Sequence, residues 1–439
     1  MLNDKYPVLA DGYSINLGLH VNNVSSSGDS KKIGETLEIN QDALNIIKNI
    51  DGVNNFRDIA NNLSKTYDMS IDEINNIIES FIYNNPIFKI NDKPLNKSYL
   101  PIRGSSDLQI PNLFSIELTN YCNYKCRHCY NDSNPYNNEF IDDDGLISFL
   151  DFVKDFDPAI ELTGGEPFSH PKIRKIIDYC CNNFSHVSII TNGSLVKDHI
   201  NFLTNYNNLS LPISLYSYRE EYMNWFTNTT GYFNLVLDNI KKLIKIGVPV
   251  CGSMLITPDN VKDIYPTVKM IKDYGADSFR VGTIMPIGRA KDQGLDFTLD
   301  NIDEFNKEAE RTDKIFGDFM RKIPEYLLDD SRNRINCGAG VNLISIKYNG
   351  KVRLCTMIPD SDKFNLGDIF SDDPLLLFER IGSCDYHTVQ EPKKVICGDC
   401  DLLTFCESCI ARGLYAQEEN DCVWYQTIFK PKNTLINKK

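Results

Sequence analysis

The sequence contains no uninterrupted run of about 18 apolar residues, which excludes a membrane-spanning helix. Its first residues, Met1-Leu2-Asn3-Asp4-Lys5-Tyr6-Pro7, carry neither the basic stretch nor the apolar segment of a secretory signal. The expectation is a soluble, cytoplasmic protein without a membrane partner. Basic charge is short as well: 46 Lys and Arg stand against 60 Asp and Glu, a net charge of −14. That balance argues against nucleic acid or an anionic surface as the main partner. The six histidines form no HExxH or paired metal pattern, and cysteine is missing from residues 1–98. Cysteine is abundant elsewhere. Of fourteen, three fall at 122–129 and eight between 337 and 422. In a reducing compartment such clustering points to metal or redox chemistry, not to disulfides. The remaining Cys180, Cys181 and Cys251 lie within helix or strand patterns and read as small buried hydrophobes.

The central stretch is Tyr121-Cys122-Asn123-Tyr124-Lys125-Cys126-Arg127-His128-Cys129-Tyr130, with cysteines at C-x3-C-x2-C spacing. Tetrahedral zinc takes four ligands, usually from two separated C-x2-C pairs. A four-iron, four-sulfur cluster also normally takes four thiolates. Three thiolates on one tight loop would hold such a cluster and leave one iron open to a substrate or cofactor. A zinc loop, or three unrelated cysteines, is the competing reading.

The rest of the chain falls into four segments. Residues 1–98 read as short strands at Pro7–Leu9, Tyr13–Leu17 and Thr36–Asn40, the first two broken at Asp11-Gly12, with a loose Ser/Gly/Asn-rich loop from Asn22 to Lys32. Three helices follow: one carrying Ala43, Ile46 and Ile47, one from about Phe56, and one behind the cap Ser70-x-x-Glu73. Residues 99–111, with Pro101, Gly104 and Pro111, read as a linker. From 112 to 328 six apolar runs alternate with helical patterns, predicting strands at Leu113–Leu118, Ala159–Thr163, Val187–Thr191, Leu211–Tyr216, Val248–Leu255 and Ser278–Thr283. Six β-α units predict an α/β fold with a parallel sheet curled into a partial barrel, its active site at the C-terminal strand ends. The cysteine loop, Thr163-Gly164-Gly165-Glu166-Pro167 and Thr191-Asn192-Gly193 follow the first three strands. Two glycines allow close backbone approach to a ligand, and a carboxylate there accepts hydrogen bonds from an ammonium group. Residues 329–439 hold the second cysteine group and a hairpin predicted around Tyr348-Asn349-Gly350.

The Cys122–Cys129 loop with Gly164-Gly165-Glu166 resembles the radical SAM enzymes. The resemblance implies a four-iron cluster on Cys122, Cys126 and Cys129 whose open iron chelates S-adenosylmethionine, with reductive cleavage giving a 5′-deoxyadenosyl radical. By the same resemblance Gly164, Gly165, Glu166, Asn192 and Ser214 bind the cofactor, Glu166 through its methionyl amine, and His128 lies against the adenine. Two positions depart from the family pattern. Tyr216 stands where Ser-Leu-Asp is usual, and Thr227 stands where an Arg normally meets the cofactor carboxylate. Arg280 or Arg219 is the expected replacement. The cysteines of the last segment, with Asn336-Cys337-Gly338-Ala339-Gly340, resemble the SPASM domain. That implies two auxiliary four-iron clusters: Cys337, Cys355 and Cys409 on the first, with Cys384 as fourth ligand or else a free thiol and the site open to a substrate thiolate; Cys397, Cys400, Cys406 and Cys422 on the second. A pair of structural zinc sites is the competing reading. Residues 1–98 resemble the winged-helix-like PqqD leader-recognition domains, which capture a precursor peptide's leader by strand addition.

Leader-binding unit, radical SAM barrel and SPASM domain in this order look like a maturase of ribosomal peptides, similar to the thioether-forming maturases of the subtilosin type. The implied partners are a precursor peptide and a flavodoxin- or ferredoxin-type reductant. The implied product is a bond from cysteine sulfur to carbon. A carbon–carbon or carbon–oxygen cyclase, a peptide epimerase using Cys384, and a carrier without catalysis remain open. The loop Met285-Pro286-Ile287-Gly288-Arg289 after the sixth strand is the candidate for substrate contact.

Overall fold

The chain divides after Ile110 into two units, Met1–Ile110 and Pro111–Lys439. The computed structural model describes residues 4–10, 13–18, 22–26, 36–291, 293–320, 336–340, 342–419 and 421–430.

In chain order the first unit runs β1 (Tyr6–Leu9), β2 (Tyr13–Leu17), β3 (Asn22–Ser26), β4 (Thr36–Ile39), α1 (Gln41–Ile47), α2 (Phe56–Tyr67), α3 (Ile71–Tyr83), β5 (Phe88–Asn91) and β6 (Ile102–Gly104). Both longer helices start on capping boxes, Asn55 with Asp58 and Ser70 with Glu73, which satisfy backbone donors at each helix start. Ile59, Ala60 and Leu63 of α2 pack on Ile74, Ile78 and Ile82 of α3. β1 pairs with β5, and a four-stranded sheet runs β4-β3-β2-β6. Two expectations are corrected. Asn22–Ser26, expected in a loop, is strand β3, because its alternating Asn, Val and Ser residues pair with both β2 and β4. The expected linker 99–111 contains β6, which pairs in parallel with β2. Asp11-Gly12, the remainder of the expected loop at 27–32, and the boundary at 328/329 lie outside the described residues.

The second unit carries β7 (Leu113–Glu117), α4 (Asp143–Val153), β8 (Ala159–Thr163), α5 (Ile173–Asn183), β9 (Val187–Ile189), α6 (Ile200–Leu203), β10 (Leu209–Ser214), α7 (Glu220–Thr227), α8 (Tyr232–Lys245), β11 (Val250–Ile256), α9 (Ile264–Tyr274), β12 (Ser278–Thr283) and α10 (Ile302–Phe316). These six strands are parallel neighbours in sequence order, the expected α/β arrangement. Side chains alternate between the two faces of each strand. On β7, Phe114 and Ile116 are fully buried and Phe114 packs at a tilt against Phe149 of α4, while Ser115 and Glu117 take the inner face. There Ser115 Oγ donates to Glu161 Oε1 of β8 at 2.9 Å.

The chain then adds β13 (Leu343–Ile346), β14 (Lys351–Arg353), β15 (Asn365–Asp368), α11 (Pro374–Ser383), α12 (Lys394–Cys397), α13 (Leu403–Cys406) and α14 (Ile410–Glu419). β13 and β14 form the predicted antiparallel hairpin, turned by Gly350 at φ +83°. The sequence did not announce where it docks. β13 lies parallel to β7, from Leu343 beside Leu113 to Ile346 beside Ile116, and carries the sheet to nine strands. A buried ion pair seals the junction: Arg353 Nη2 lies 2.9 Å from Glu117 Oε1.

Candidate active site at the C-terminal strand ends

The three cysteines leave β7 in a loop fastened from every side. Cys122 N–H donates to Asn134 O at 3.2 Å and Arg127 N–H to Phe226 O at 3.0 Å. The glycine turn after β8 lies against the same loop, with Gly165 N–H donating to Thr119 O at 2.7 Å and Glu166 N–H to Tyr121 O at 2.8 Å. A Cβ on Gly165 would stand 1.9 Å from Tyr121 O, and one on Gly164 (φ +125°) 2.6 Å from Thr119 O. The glycines are needed because two backbones meet there, the turn and the cysteine loop. The closeness expected toward a ligand is closeness to the loop that carries the thiols.

Glu166 is fully buried, and its partners are all uncharged. Oε1 accepts from Thr191 Oγ1 at 2.7 Å and Phe168 N–H at 3.1 Å, and Oε2 accepts from Asn192 N–H at 2.8 Å. Burial lifts its pKa to about 7, against the pull of those three bonds. A buried carboxylate held in place without a cation suits an ammonium group. Asn192 works in two directions. Its backbone fixes Glu166, while its side-chain Nδ2 lies 2.9 Å from Asn123 Oδ1 and 3.8 Å from Cys122 Sγ. Ser194 Oγ links both asparagines, donating to Asn192 Oδ1 at 2.6 Å and accepting from Asn123 Nδ2 at 2.9 Å. Ser214 ends β10, and the hydroxyl of buried Tyr232 bonds the carbonyls of Ser214 and Asn192 at 2.9 and 2.8 Å, tying those two strand ends together.

Tyr216, one of the two departures, meets His128 of the cysteine loop. His128 Nε2 and Tyr216 Oη are 3.0 Å apart, and the imidazole stacks on Phe226 at 4.2 Å. Burial holds His128 in its neutral form, with a pKa near 3, and the nearby Arg289 charge adds to the effect. Among the described residues its buried Nδ1 has no partner. Thr227 is buried and bonds Met223 O, so it supplies no charge. Of the two expected replacements, Arg219 is fastened to Asp263, with Nη2 at 2.7 Å and Nε at 2.9 Å from Oδ2. Arg280 Nε instead rests on Ser253 Oγ at 3.0 Å. Ser253 is paired with Ser214 across the sheet, which sets Arg280 on the same side of the strands as Ser214.

Arg289, proposed from sequence only as part of a substrate-contacting loop, grips the cysteine loop. Its N–H donates to Cys129 O at 3.0 Å, Nε to Cys126 O at 2.8 Å and Nη2 to Ser133 O at 2.7 Å. Gly288 (φ +57°) allows this, since a Cβ there would stand 2.4 Å from the carbonyls of Cys129 and Tyr130. The Gly-Arg pair directly after a barrel strand was the available signal.

The cysteines fall into three neighbourhoods. Burial raises the Cys122 thiol to about 12, with the charges of Glu166 and Cys129 adding to it. Burial raises Cys126 as well, followed by the charges of Cys122 and Cys129. Cys337 is raised to about 11, first by burial and then by Cys409 and Cys355. Cys406 is raised to about 12, first by burial and then by Cys422, Cys400 and Cys397. The last four line one cavity of about 90 Å³ closed by Trp424 and Pro392. Among the described residues no three His, Cys, Asp or Glu side chains converge on the position of a single metal ion. A polynuclear cluster keeps its thiolates apart, and a set of repelling buried thiolates calls for its positive charge. Three thiols on one loop, Cys122, Cys126 and Cys129, are a donor set of the kind that holds an iron–sulfur cluster. Cys384 caps the end of α11, and burial lifts its thiol to about 11 with Asp385 adding to it.

Residues 116–271 match the radical SAM superfamily. Among curated proteins, the chain is 27% identical over 408 residues to the antilisterial bacteriocin subtilosin biosynthesis protein AlbA of Bacillus subtilis (strain 168), covering 89% of this chain and 88% of that one. It is 26% identical over 285 residues to the sporulation killing factor maturation protein SkfB of the same organism, covering 64% and 67%. Among solved structures, Streptococcus suis SuiB bound to precursor peptide SuiA shares its fold, with a TM-score of 0.65 at 15% identity over 93% of this chain and 97% of that one.

Proposed function

We propose that this chain, which carries a radical SAM domain over residues 116–271, matures a ribosomally made precursor peptide by joining a cysteine sulfur to a carbon of the same peptide. The observation that carries the reading is buried Glu166, its backbone bonded to the loop of Cys122, Cys126 and Cys129 and its carboxylate held by Thr191, Asn192 and Phe168, with no cation bonded to it among the described residues. The likeness to AlbA and SkfB supports the peptide as substrate.

In this reading a four-iron cluster on Cys122, Cys126 and Cys129, together with S-adenosylmethionine, supplies a 5′-deoxyadenosyl radical. Glu166 receives the methionyl ammonium, and the Thr191 and Asn192 bonds keep its carboxylate aimed. Asn192 donates toward Cys122 sulfur, the kind of hydrogen bond that tunes a cluster. His128, stacked and neutral, offers a flat face beside the loop for the adenine. Ser214 and Arg280 receive the cofactor carboxylate. Replacing Arg280 with Ala should weaken S-adenosylmethionine binding at least tenfold while Arg219→Ala leaves it within twofold; calorimetric titration of the reconstituted protein checks this, and equal effects would remove Arg280 from the site.

The peptide loses two hydrogens. One leaves a carbon as a hydrogen atom, the other leaves the thiol as a proton, and the new bond is carbon–sulfur. The odd electron needs an acceptor, and the two C-terminal cysteine sets are suited to hold one. Residues 1–98 take the leader along an edge of the β4-β3-β2-β6 sheet by adding a strand.

The test is anaerobic reaction of the small peptide encoded beside this gene with enzyme, reductant and cofactor in heavy water, followed by fragmentation mass spectrometry. The expected product is two hydrogens lighter, with fragments missing between a cysteine and its acceptor. The same loss without cysteine involvement would make it a carbon–carbon or carbon–oxygen cyclase. Deuterium gained without a cross-link would make it an epimerase.

A further inference from the structure

A cavity of about 350 Å³ lies at the end of β12, between its following loop and the cysteine-rich segment, with Cys406 of the four-cysteine cage in its lining. Ile284 and Met285 form one wall, Phe297 and Ile302 a second, and Phe405 with Arg412 a third. That volume is at the small end of ligand pockets, which run about 300–1,000 Å³. It accommodates one aromatic or branched side chain with the backbone beside it. The walls are mainly apolar. Lys291, Asp296 and Arg412 are the charged exceptions; Arg412 Nη2 donates to Thr283 Oγ1 at 2.7 Å, and its charge also acts on the Cys406 thiol. A guanidinium has five N–H donors, more than this one hydroxyl takes up.

Its position narrows the occupant. Glu166, Asn192 and Ser214, assigned above to the cofactor, stand at the ends of β8, β9 and β10; the cavity belongs to β12 and the cysteine-rich segment. One loop separates the two places. Met285 lines the cavity, and four residues on Arg289 holds the carbonyls of Cys126 and Cys129. Anything seated against Met285 therefore has its neighbouring atoms near the cysteine loop. A chain molecule fits that description better than a free small one.

We propose that this cavity seats a bulky apolar side chain of the precursor peptide, with Arg412 receiving a carbonyl or carboxylate oxygen next to it. The assignment rests on the peptide-maturase reading and sets which residue of the peptide is presented. Ile302→Trp fills the cavity from α10, and Leu299→Trp fills it from the half-exposed rim, where folding is least at risk. Ile315→Trp, exposed farther along α10, is the control. The probe is the small peptide encoded beside this gene, together with a set in which each of its bulky apolar residues is changed to Ala.

Both cavity variants should raise the peptide KM at least tenfold and leave peptide-free S-adenosylmethionine cleavage within twofold of the parent, with the control unchanged. One peptide change should raise KM in the parent enzyme and add nothing in the variants, the mark of two partners in one contact. A KM unmoved by both variants, or peptide changes that stay additive with them, overturns the proposal while peptide modification by the parent leaves the maturase reading standing. No modification of the peptide by the parent overturns both.

Discussion

The loop of Cys122, Cys126 and Cys129 and the cage of Cys397, Cys400, Cys406 and Cys422 solve one problem in opposite ways. The loop is held by distant parts of the chain: Ser194, Phe226 and Arg289 all bond to it, the last across 163 positions. The cage is held by its own neighbourhood. Cys397 N–H donates to Lys393 O and Cys406 N–H to Leu402 O, on helices of a single turn. Such short helices are marginal by themselves. A site fixed from outside is shaped before its contents arrive, and it can leave one position free for a ligand. A site fixed locally depends on its contents for its shape, much as structural metal sites contribute folding energy.

The sharpest way to break this comparison is Gly165→Ala. Its methyl group would collide with Tyr121 O, a backbone atom that cannot step aside. The expected cost is roughly 3 kcal/mol, the upper part of the overpacking range, with loss of iron from the first loop and retention at the C-terminal sets. Iron analysis and electron paramagnetic resonance check it; equal loss at all sites would mean that the loop is not separately fixed. Next is the buried Glu117–Arg353 pair. Arg353→Met should cost about 3–5 kcal/mol by stranding a carboxylate, and adding Glu117→Leu should recover most of it, as read by chemical denaturation. Arg289→Lys replaces a planar fork by a point charge and should lose roughly 1.5–3 kcal/mol of loop fastening. Faster alkylation of Cys126 and Cys129 in the iron-free protein, with cage cysteines unchanged, is the expected readout.

The smallest effect is in pH. The Glu166 carboxyl, raised by burial to about 7, is mostly protonated at pH 6 and mostly ionised at pH 8. An ammonium ligand needs the ionised form, so cofactor affinity should rise about tenfold over that interval, and Glu166→Gln should flatten the profile. The sign for stability is opposite. A carboxyl whose folded pKa lies above its unfolded value loses stabilisation as pH rises through 7, so the ligand-free protein should melt lower at pH 8 than at pH 6.

Much of the barrel was legible in the sequence because strand and helix periods alternate cleanly from Leu113 to Thr283, and periodicity is what burial on one face imposes. The glycine turn and the cysteine spacing were legible for the same local reason. The role of Arg289 was not, since a cation on a loop looks alike whether it meets solvent, substrate or a carbonyl far away in the chain. The meeting of His128 with Tyr216 was equally hidden: one reads as a loop histidine and the other as an isolated departure until the fold sets them 3.0 Å apart. Strand β3 was missed because Asn and Ser are turn-formers in isolation and pair here through their neighbours.

Strand β13, lying against β7, has a consequence for how the protein is made. Leu113 leaves the ribosome 230 residues before Leu343, its partner. At synthesis rates of about 5–20 residues per second, that interval lasts roughly 10–50 s. Throughout it, the strand that leads into the three-cysteine loop has one side of its backbone ladder unpaired. An unpaired ladder beside an apolar face is a template for aggregation. The nascent barrel therefore has reason to be shielded until Ile346 has been translated, and the sheet that carries the three-cysteine loop is completed by a strand that bears no cysteine.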